Sequence, residues 1–503
     1  MERVGLIDLG SNTARLAIYD VYDGGYFSVV EETKEQVKLG ETEAGGNLKP
    51  TRVLQAITTV KAFKKRCAVY NVEKILAYTT AAVRNAKNQK TFLSDMFAAT
   101  GVRFVVLSEE EEANRDYIGV INTIEVPKGV ICEVGGGSIK LVLYNRRNVI
   151  QRLVLPFGAV TLAGMFVNEE TTPQKSCELI EEYVKGQLAP ITWLKEIEED
   201  YQLIGVGGSI RSLAKINRKI KKYPLEMVHN YHIEYNDFDY IYNMIKPFDL
   251  EKASKIKGLS AARADVFPCA LAALKAFLDF TGFKKITCCS CGIREGIMFN
   301  YALPTTQDKP IVDILGHSIQ TQIRKWNLDS LHSEHTFNLA VQLFKQLRVL
   351  HKFPRAYVKV LRIASMLYEC GKVVKFYDFG KHSSYMLLKS NLYGAPHNDI
   401  VLASYICEAY SKEDTSYTEW ARYNTILTPE DLEASKKLAV LLQLAVALDV
   451  TRSALVTEIN CDVLGDSVIM KTEVEGDASL EIKEAIRWAL EFKRVFKKNL
   501  EII

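Results

Sequence analysis

The apolar positions of the first 124 residues alternate in short runs before they settle into helical spacing. Residues 4–9 form an apolar run that stops at Gly10-Ser11-Asn12, residues 15–21 resume strand character, and 27–37 supply a third strand. An amphipathic helix over 51–68, a strand over 74–78, a helix over 88–99, a strand over 103–107 and a helix opening at Glu109 follow, giving the order β-β-β-α-β-α-β-α. The succession then returns. A strand over 129–134 ends in Gly135-Gly136-Gly137-Ser138, runs at 141–144 and 149–155 follow, and helices over 172–188 and 209–219 bracket a strand over 202–206. A helix over 267–280, a strand over 286–290 and a helix from Arg294 complete the second copy, so two like α/β units are expected in tandem, over 1–124 and 125–303.

Beyond residue 300 the period changes. The stretch 304–310 reads as a linker, and nearly everything from 311 to 453 has helical spacing, as in Phe337, Ala340, Val341, Phe344 and Leu347. An all-helical domain is expected over 311–453. The tail 454–503, with strand-like runs at 468–470 and 480–482 before a charged helix, reads as a small α+β cap. No apolar run reaches the roughly 18 residues needed to span a bilayer.

Composition narrows the class without choosing a function. A chain of 503 residues exceeds one core, and its 48% hydrophobic and 25% charged content is that of globular domains. Lys+Arg 64 against Asp+Glu 61 leaves +3, so no global field points to nucleic acid or an anionic membrane, and a polyanion site must be local. The ten cysteines are scattered except for Cys288, Cys289 and Cys291, which have no second pair or histidine nearby in sequence and read as buried strand thiols. The start MERVGLIDLGSN lacks the basic flank and long apolar core of a signal peptide, so a cytoplasmic location with reduced thiols is expected.

The chemistry gathers at the glycines. A glycine-rich turn brings backbone N–H groups close to an anion, and a following hydroxyl adds a donor. One such turn is usually only a tight hairpin. Here Gly10-Ser11 and Gly135-Gly136-Gly137-Ser138 recur at equivalent places of tandem units, each after a strand-end carboxylate, Asp8 and Glu133. That pairing fits a cleft in which phosphates lie between two lobes and the carboxylates hold a divalent metal. Gly207-Gly208-Ser209 opens a helix whose N-terminus is a third anion site, and that helix carries Arg211, Lys215, Arg218, Lys219, Lys221 and Lys222. In Ser108-Glu109-Glu110-Glu111-Glu112 the first three glutamates suit a helix N-terminus, while four adjacent carboxylates exceed that need and leave one as a general base. Arg84, after a strand end, is a candidate phosphate clamp. No G-x-x-x-x-G-K-[ST] occurs, so a P-loop enzyme is unsupported.

At these residues the chain resembles the exopolyphosphatase/guanosine pentaphosphate phosphohydrolase family of the actin, sugar kinase and heat-shock ATPase superfamily. Asp8-Leu9-Gly10-Ser11-Asn12-Thr13 with Arg15 is similar to its first phosphate motif, residues 79–84 to its phosphate-binding arginine segment, and Gly207-Gly208-Ser209 to its third turn. Glu111-Glu112-Ala113 with Tyr117, Gly119 and Val120 resembles its catalytic helix, which implies Glu112 as the base. Arg263-Ala264-Asp265 and Gly292-Ile293-Arg294-Glu295-Gly296 match the end of its second lobe. The resemblance implies an α/β protein of two tandem ribonuclease H-like lobes, an HD-type helical domain and the cap. It also implies a homodimer that releases terminal phosphate from polyphosphate or guanosine pentaphosphate, with Mg2+ on Asp8 and Glu133 and phosphate on the glycine turns and Arg84.

Two departures bear on activity. The second motif, ordinarily Asp-x-Gly-Gly-Gly-Ser-x-Glu, here has Glu133 for Asp and Lys140 for the closing Glu. Alternation from Ser138 points Lys140 toward the phosphate turn, where its ammonium competes with the metal. In the helical region His335 and His382-Ser383-Ser384-Tyr385 match the HD-type pattern. Tyr368-Glu369 and Ile406-Cys407-Glu408-Ala409-Tyr410 replace a His-Asp pair and an Arg-Tyr-His-Arg run, leaving too few ligands for a metal centre. An architectural, substrate-channel or dimer role is expected there. A weakly catalytic polyphosphate- or alarmone-binding protein is the alternative; a kinase is disfavoured because no acceptor pocket is legible.

Overall fold

Strands β1 (Glu2–Leu9), β2 (Thr13–Tyr22) and β3 (Tyr26–Gln36) make an antiparallel meander, and β4 (Lys74–Thr79) and β5 (Val105–Val106) continue it in parallel, in the order β3-β2-β1-β4-β5. The structure, a computed structural model, describes residues 1–43, 45–307, 309–410 and 421–503; Asp308 of the expected linker lies outside them. One face of the sheet packs Ile7, Leu9, Leu16 and Ile18 against Val60 and Phe63 of the helix Pro50–Val69 and against Phe92 and Met96 of the helix Gln89–Thr100. A central strand buried on both faces needs cover on the other side as well.

The second sheet repeats the plan. β6 (Gly129–Val134), β7 (Ile139–Asn145) and β8 (Asn148–Leu155) form the meander, and β9 (Gln202–Val206) lies parallel to β6. Next come β11 (Lys285–Cys288), parallel to β9, and an antiparallel edge strand, β10 (Tyr231–Glu234). β10 was not foreseen: its alternation of buried Tyr231 and Ile233 with exposed His232 and Glu234 is too short to stand out from its surroundings.

The two copies exchange their last helices. The helix Ile293–Ala302 does not complete the second copy, as its position in the chain suggests; its Ile297 and Met298 pack against Leu6, Ala17 and Tyr19 on the first sheet's other face. Phe299 meets Phe27 edge-on, ring centroids 5.0 Å apart. The helix Glu109–Ile121 in turn lies on the second sheet, with Tyr117 against Tyr144 and Asn114 accepting from Arg152. The two helices cross at glycines. A Cβ on Gly119 would stand 2.2 Å from the Gly292 carbonyl oxygen, and one on Gly296 1.9 Å from that of Arg115. The exchange makes residues Met1–Val312 one compact unit.

Residues Asp313–Ile503 form the other. Its helices include Ile314–Lys325, Ser330–Gln346, Tyr357–Leu367, Phe379–Lys389, His397–Tyr410 and Pro429–Ala447, followed by β12 (Val456–Val463), β13 (Ser467–Val474) and β14 (Asn499–Ile502). The tail differs from expectation in two places. Residues 480–482 are helical, within Ser479–Ile486, because buried Glu481 accepts from the Thr451 backbone and hydroxyl and Ala485 packs one turn on. The charged helix stops at Phe496, where Lys497 turns left-handed at φ 58°, and the chain ends as β14. Gln342 and Gln346 hydrogen-bond the β12 segment, fastening this sheet to the helices. His332 Nδ1 lies 2.7 Å from Asp449 and its Nε2 2.8 Å from the Tyr368 hydroxyl, so both ring nitrogens are engaged within the fold. Among the described residues no helix is long and apolar enough to cross a membrane.

Candidate active site

The ends of β1 and β6 close in the same tight turn. Gly10 N–H donates to Thr13 O at 3.1 Å, and Gly135 N–H to Ser138 O at 3.0 Å. The turns face each other: a Cβ on Gly137 would lie 3.9 Å from Ser11 Oγ. The third turn runs from β9 straight into the helix Gly207–Ile220, whose first N–H groups have no side-chain cap. Gly10, Ser11, Asn12, Thr13, Gly135, Gly136, Gly137, Ser138, Gly207, Gly208 and Ser209 all line one cleft. Asn12 also braces it, its Nδ2 donating to Ala262 O and its Oδ1 accepting from Gln36.

Arginines supply the positive wall. Arg15, Arg211, Arg263 and Arg294 line the cleft. Burial, then the neighbouring Arg294 and Arg211, bring Arg15 down to about 10; burial and Arg211 lower Arg263. Half-buried guanidiniums that repel one another are what an anion relieves. The guanidinium of Arg263 lies over Gly208, where a Cβ would stand 2.1 Å from Nη2. Gly208→Ala should therefore swing Arg263 off the turn and weaken phosphate binding about 10-fold or more, with little change in melting temperature, because the displaced atoms end a flexible side chain. Equal phosphate affinity in a calorimetric titration would show that Arg263 does not serve the anion.

Arg84 does not reach the cleft wall. It stands behind Glu112, with Nη1 donating to Leu107 O at 2.8 Å and to Glu112 Oε1 at 3.1 Å. Here its guanidinium supports a carboxylate. Of the basic helix only Arg211 lines the cleft; Arg218 donates to Leu225 O and Lys221 pairs with Asp237.

The helix Glu109–Ile121 divides its glutamates. Ser108 and Glu111 form a reciprocal cap, and Glu110 faces solvent near Arg152. Glu112 turns inward and is 2% exposed. One turn on, Asp116 is equally buried and shares its face. Between them lies Lys140, cross-strand partner of Glu133, with Nζ 2.7 Å from Glu133, 3.1 Å from Asp116 and 3.2 Å from Glu112 Oε2. Burial and the Glu133 charge hold Asp116 well above the usual carboxylate range, and burial raises Asp8. Burial alone would lower Lys140, but Asp116, Glu133 and Glu112 outweigh it and keep the ammonium charged.

Models of known families decide the kinship. The model of the Ppx/GppA phosphatase family matches residues 17–304, and that of Ppx/GppA phosphatase, domain III, matches 314–500. The chain belongs to the Ppx/GppA phosphatase family. Similar family proteins include a guanosine-5'-triphosphate,3'-diphosphate pyrophosphatase of Vibrio vulnificus, 25% identical over 93% of this chain and 91% of that protein. Exopolyphosphatase 1 of Mycobacterium bovis is 22% identical over 64% of this chain and 94% of its own length. A Ppx/GppA crystal structure from Aquifex aeolicus covers 60% of this chain and 98% of its own, with 25% identity and a TM-score of 0.52.

Ppx/GppA membership makes the missed residues readable. Arg263 and Arg294 lie within the stretches that resemble the end of the family's second lobe, and the four-residue spacing of Asp116 from Glu112 signals a shared helix face. Magnesium is expected on Asp8 and Glu133 from the resemblance alone, and the donor set does not fit it. Glu133 is committed to Lys140, and a divalent ion there would lie against a buried ammonium. Elsewhere the fold brings His229 beside Cys289 and Cys291, their donor atoms within 4.8 Å. The Nε2 of His229 lies 3.1 Å from Thr123 O, and its Nδ1 accepts from Ser290 N–H, which ties the thiol segment to the fold.

Proposed function

We propose that the chain is a phosphohydrolase releasing terminal phosphate from a phosphoanhydride chain, either polyphosphate or guanosine pentaphosphate. One observation carries this reading: three glycine turns and four half-buried arginines converge on a cleft that also holds a buried glutamate, Glu112. Backbone N–H groups and arginines bind the terminal phosphate and stabilise the charge that spreads over its outer oxygens. Glu112 accepts a proton from water as the water oxygen bonds to phosphorus and the bridging P–O bond breaks, leaving the shortened chain as an anion. Arg84 positions Glu112. The names of the Vibrio and Mycobacterium relatives support both substrates. In this reading the two sheets are actin-like lobes, and the helices beyond Asp313 derive from an HD domain that has lost its metal.

A second reading is a polyphosphate or alarmone sensor. It draws on one contact pattern: both oxygens of Glu112 are engaged by cations, Arg84 on one side and Lys140 on the other. Phosphate release from polyphosphate and from guanosine pentaphosphate, run beside an equilibrium titration of each, separates the two. Tight binding with no release would leave the sensor.

A further inference from the structure

The two hairpins repeat one more feature than their glycines. In the first, Asp8 pairs in register with Arg15; in the second, Glu133 pairs with Lys140. Each lobe thus sets a cation across from the carboxylate that ends its first strand, on the same face of the sheet. The two pairs behave differently. Arg15 turns to Glu32 at 3.6 Å and lines the cleft with three other arginines, so it faces an incoming anion. Lys140 closes on its partner and goes further, reaching Asp116 and Glu112 as well.

Lys140 donates hydrogen bonds to Glu133 and Asp116 and forms an ion pair with Glu112. An ammonium has three N–H donors and no acceptor. Three carboxylates, from Glu133, Asp116 and Glu112, stand within 3.2 Å of Nζ, and each comes from a different part of the site: the first strand of the lobe and two successive turns of the helix Glu109–Ile121. The residue is 8% exposed, so these contacts are made out of water, where an uncompensated charge is not tolerated. Remove the ammonium and two buried carboxylates and a half-buried one would be left together, with Arg84 beside Glu112 and Arg211 acting on Glu133 from farther off. Such a trio of oxygens around a small gap is also what a hard divalent cation would use.

We propose that the Lys140 ammonium is the resident cation of this site, standing where a divalent metal would otherwise bind, so that the free protein takes phosphate without a metal of its own. The inference rests on the phosphohydrolase reading for its meaning, but its test does not. Magnesium then reaches the cleft only as the counter-ion of the phosphate chain. Lys140 also acts as a positioning residue: by holding Glu112 Oε2 it fixes the orientation of the carboxylate toward the cleft.

The test is a titration of the metal-free full-length protein with Mn2+ and Mg2+, in the absence of any phosphate, followed by calorimetry and by the Mn2+ resonance signal. The wild-type protein should take up no equivalent in the cleft, and Lys140→Glu should gain one, with affinity raised about 100-fold or more. Lys140→Met, which removes the charge without adding a ligand, should also gain uptake, more weakly. If Lys140→Glu does not fold, Lys140→Met and the wild-type measurement still decide. Stoichiometric uptake by the wild type, abolished in Glu133→Gln, would overturn the proposal. Inorganic phosphate binding by the wild type in the presence of a chelator is the second readout, and loss of that binding would overturn it too. Absence of hydrolysis in a separate phosphate-release assay would instead count against the phosphohydrolase reading and leave the cation assignment standing.

Discussion

Glu112→Gln should reduce phosphate release by about 10² or more while leaving the binding of polyphosphate within a few-fold of wild type. The amide keeps the shape and retains an oxygen to accept from Arg84 or Lys140, which now lie 3.1 and 3.2 Å from the carboxylate oxygens. What it loses is the capacity to take a proton from water. Binding should survive because the glycine turns and arginines proposed to hold phosphate are on other elements. A loss of binding in parallel with turnover would mean that Glu112 organises the cleft and does not act on water. Near-normal turnover would move the base elsewhere, and Asp116, one turn along the same helix, would be the next residue to change.

The second large effect concerns stability. Gly296→Ala places a methyl group 1.9 Å from the backbone oxygen of Arg115, and backbone cannot swing aside as a side chain can. The two crossing helices must separate, and both end the packing of a sheet. A loss of about 2–3 kcal/mol is expected, the upper part of the range for overpacking, read as a lower denaturation midpoint. Gly186→Ala is the control, since nothing lies within 4 Å of the new Cβ on the helix Pro173–Leu188 and helix propensity favours the change. Equal midpoints for the two variants would show that the crossing relaxes without cost. Because Glu112 and Asp116 sit on the helix that Gly296 abuts, turnover should fall in Gly296→Ala even at temperatures where it stays folded.

Much of the site was legible where its parts are close in sequence. The turns at Gly10 and Gly135 and the third at Gly207 follow strands and are marked by composition, and the inward turn of Glu112 follows from Ser108 and Glu111 forming the cap. The side of the sheet that Lys140 occupies follows from two-residue alternation. Its depth does not, because burial depends on the helix Glu109–Ile121 lying across the second sheet. For the same reason the contact of Arg84 with Glu112 is not legible in the sequence, since it needs the helix Glu109–Ile121 to come beside residues 81–84. His229 reaches Cys289 and Cys291 only through the pairing of β10 with β11, across some sixty residues of chain. Residues 480–482 alternate like a strand, and what makes them helix is a buried glutamate answering to Thr451, a partner that no local pattern reveals.

The exchanged helices also set an order on synthesis. Leu6, Ala17 and Tyr19 leave the ribosome well before Ile297 and Met298, which cover them and are nearly the last of the first unit to be made. Until then the outer face of the first sheet is apolar and open, and its central strand β1 is finished on one side only. The first lobe is therefore not a module that can fold and wait for the second. Severed between residues 124 and 125, the chain would give one fragment with an exposed sheet face and another carrying the helix that belongs on it.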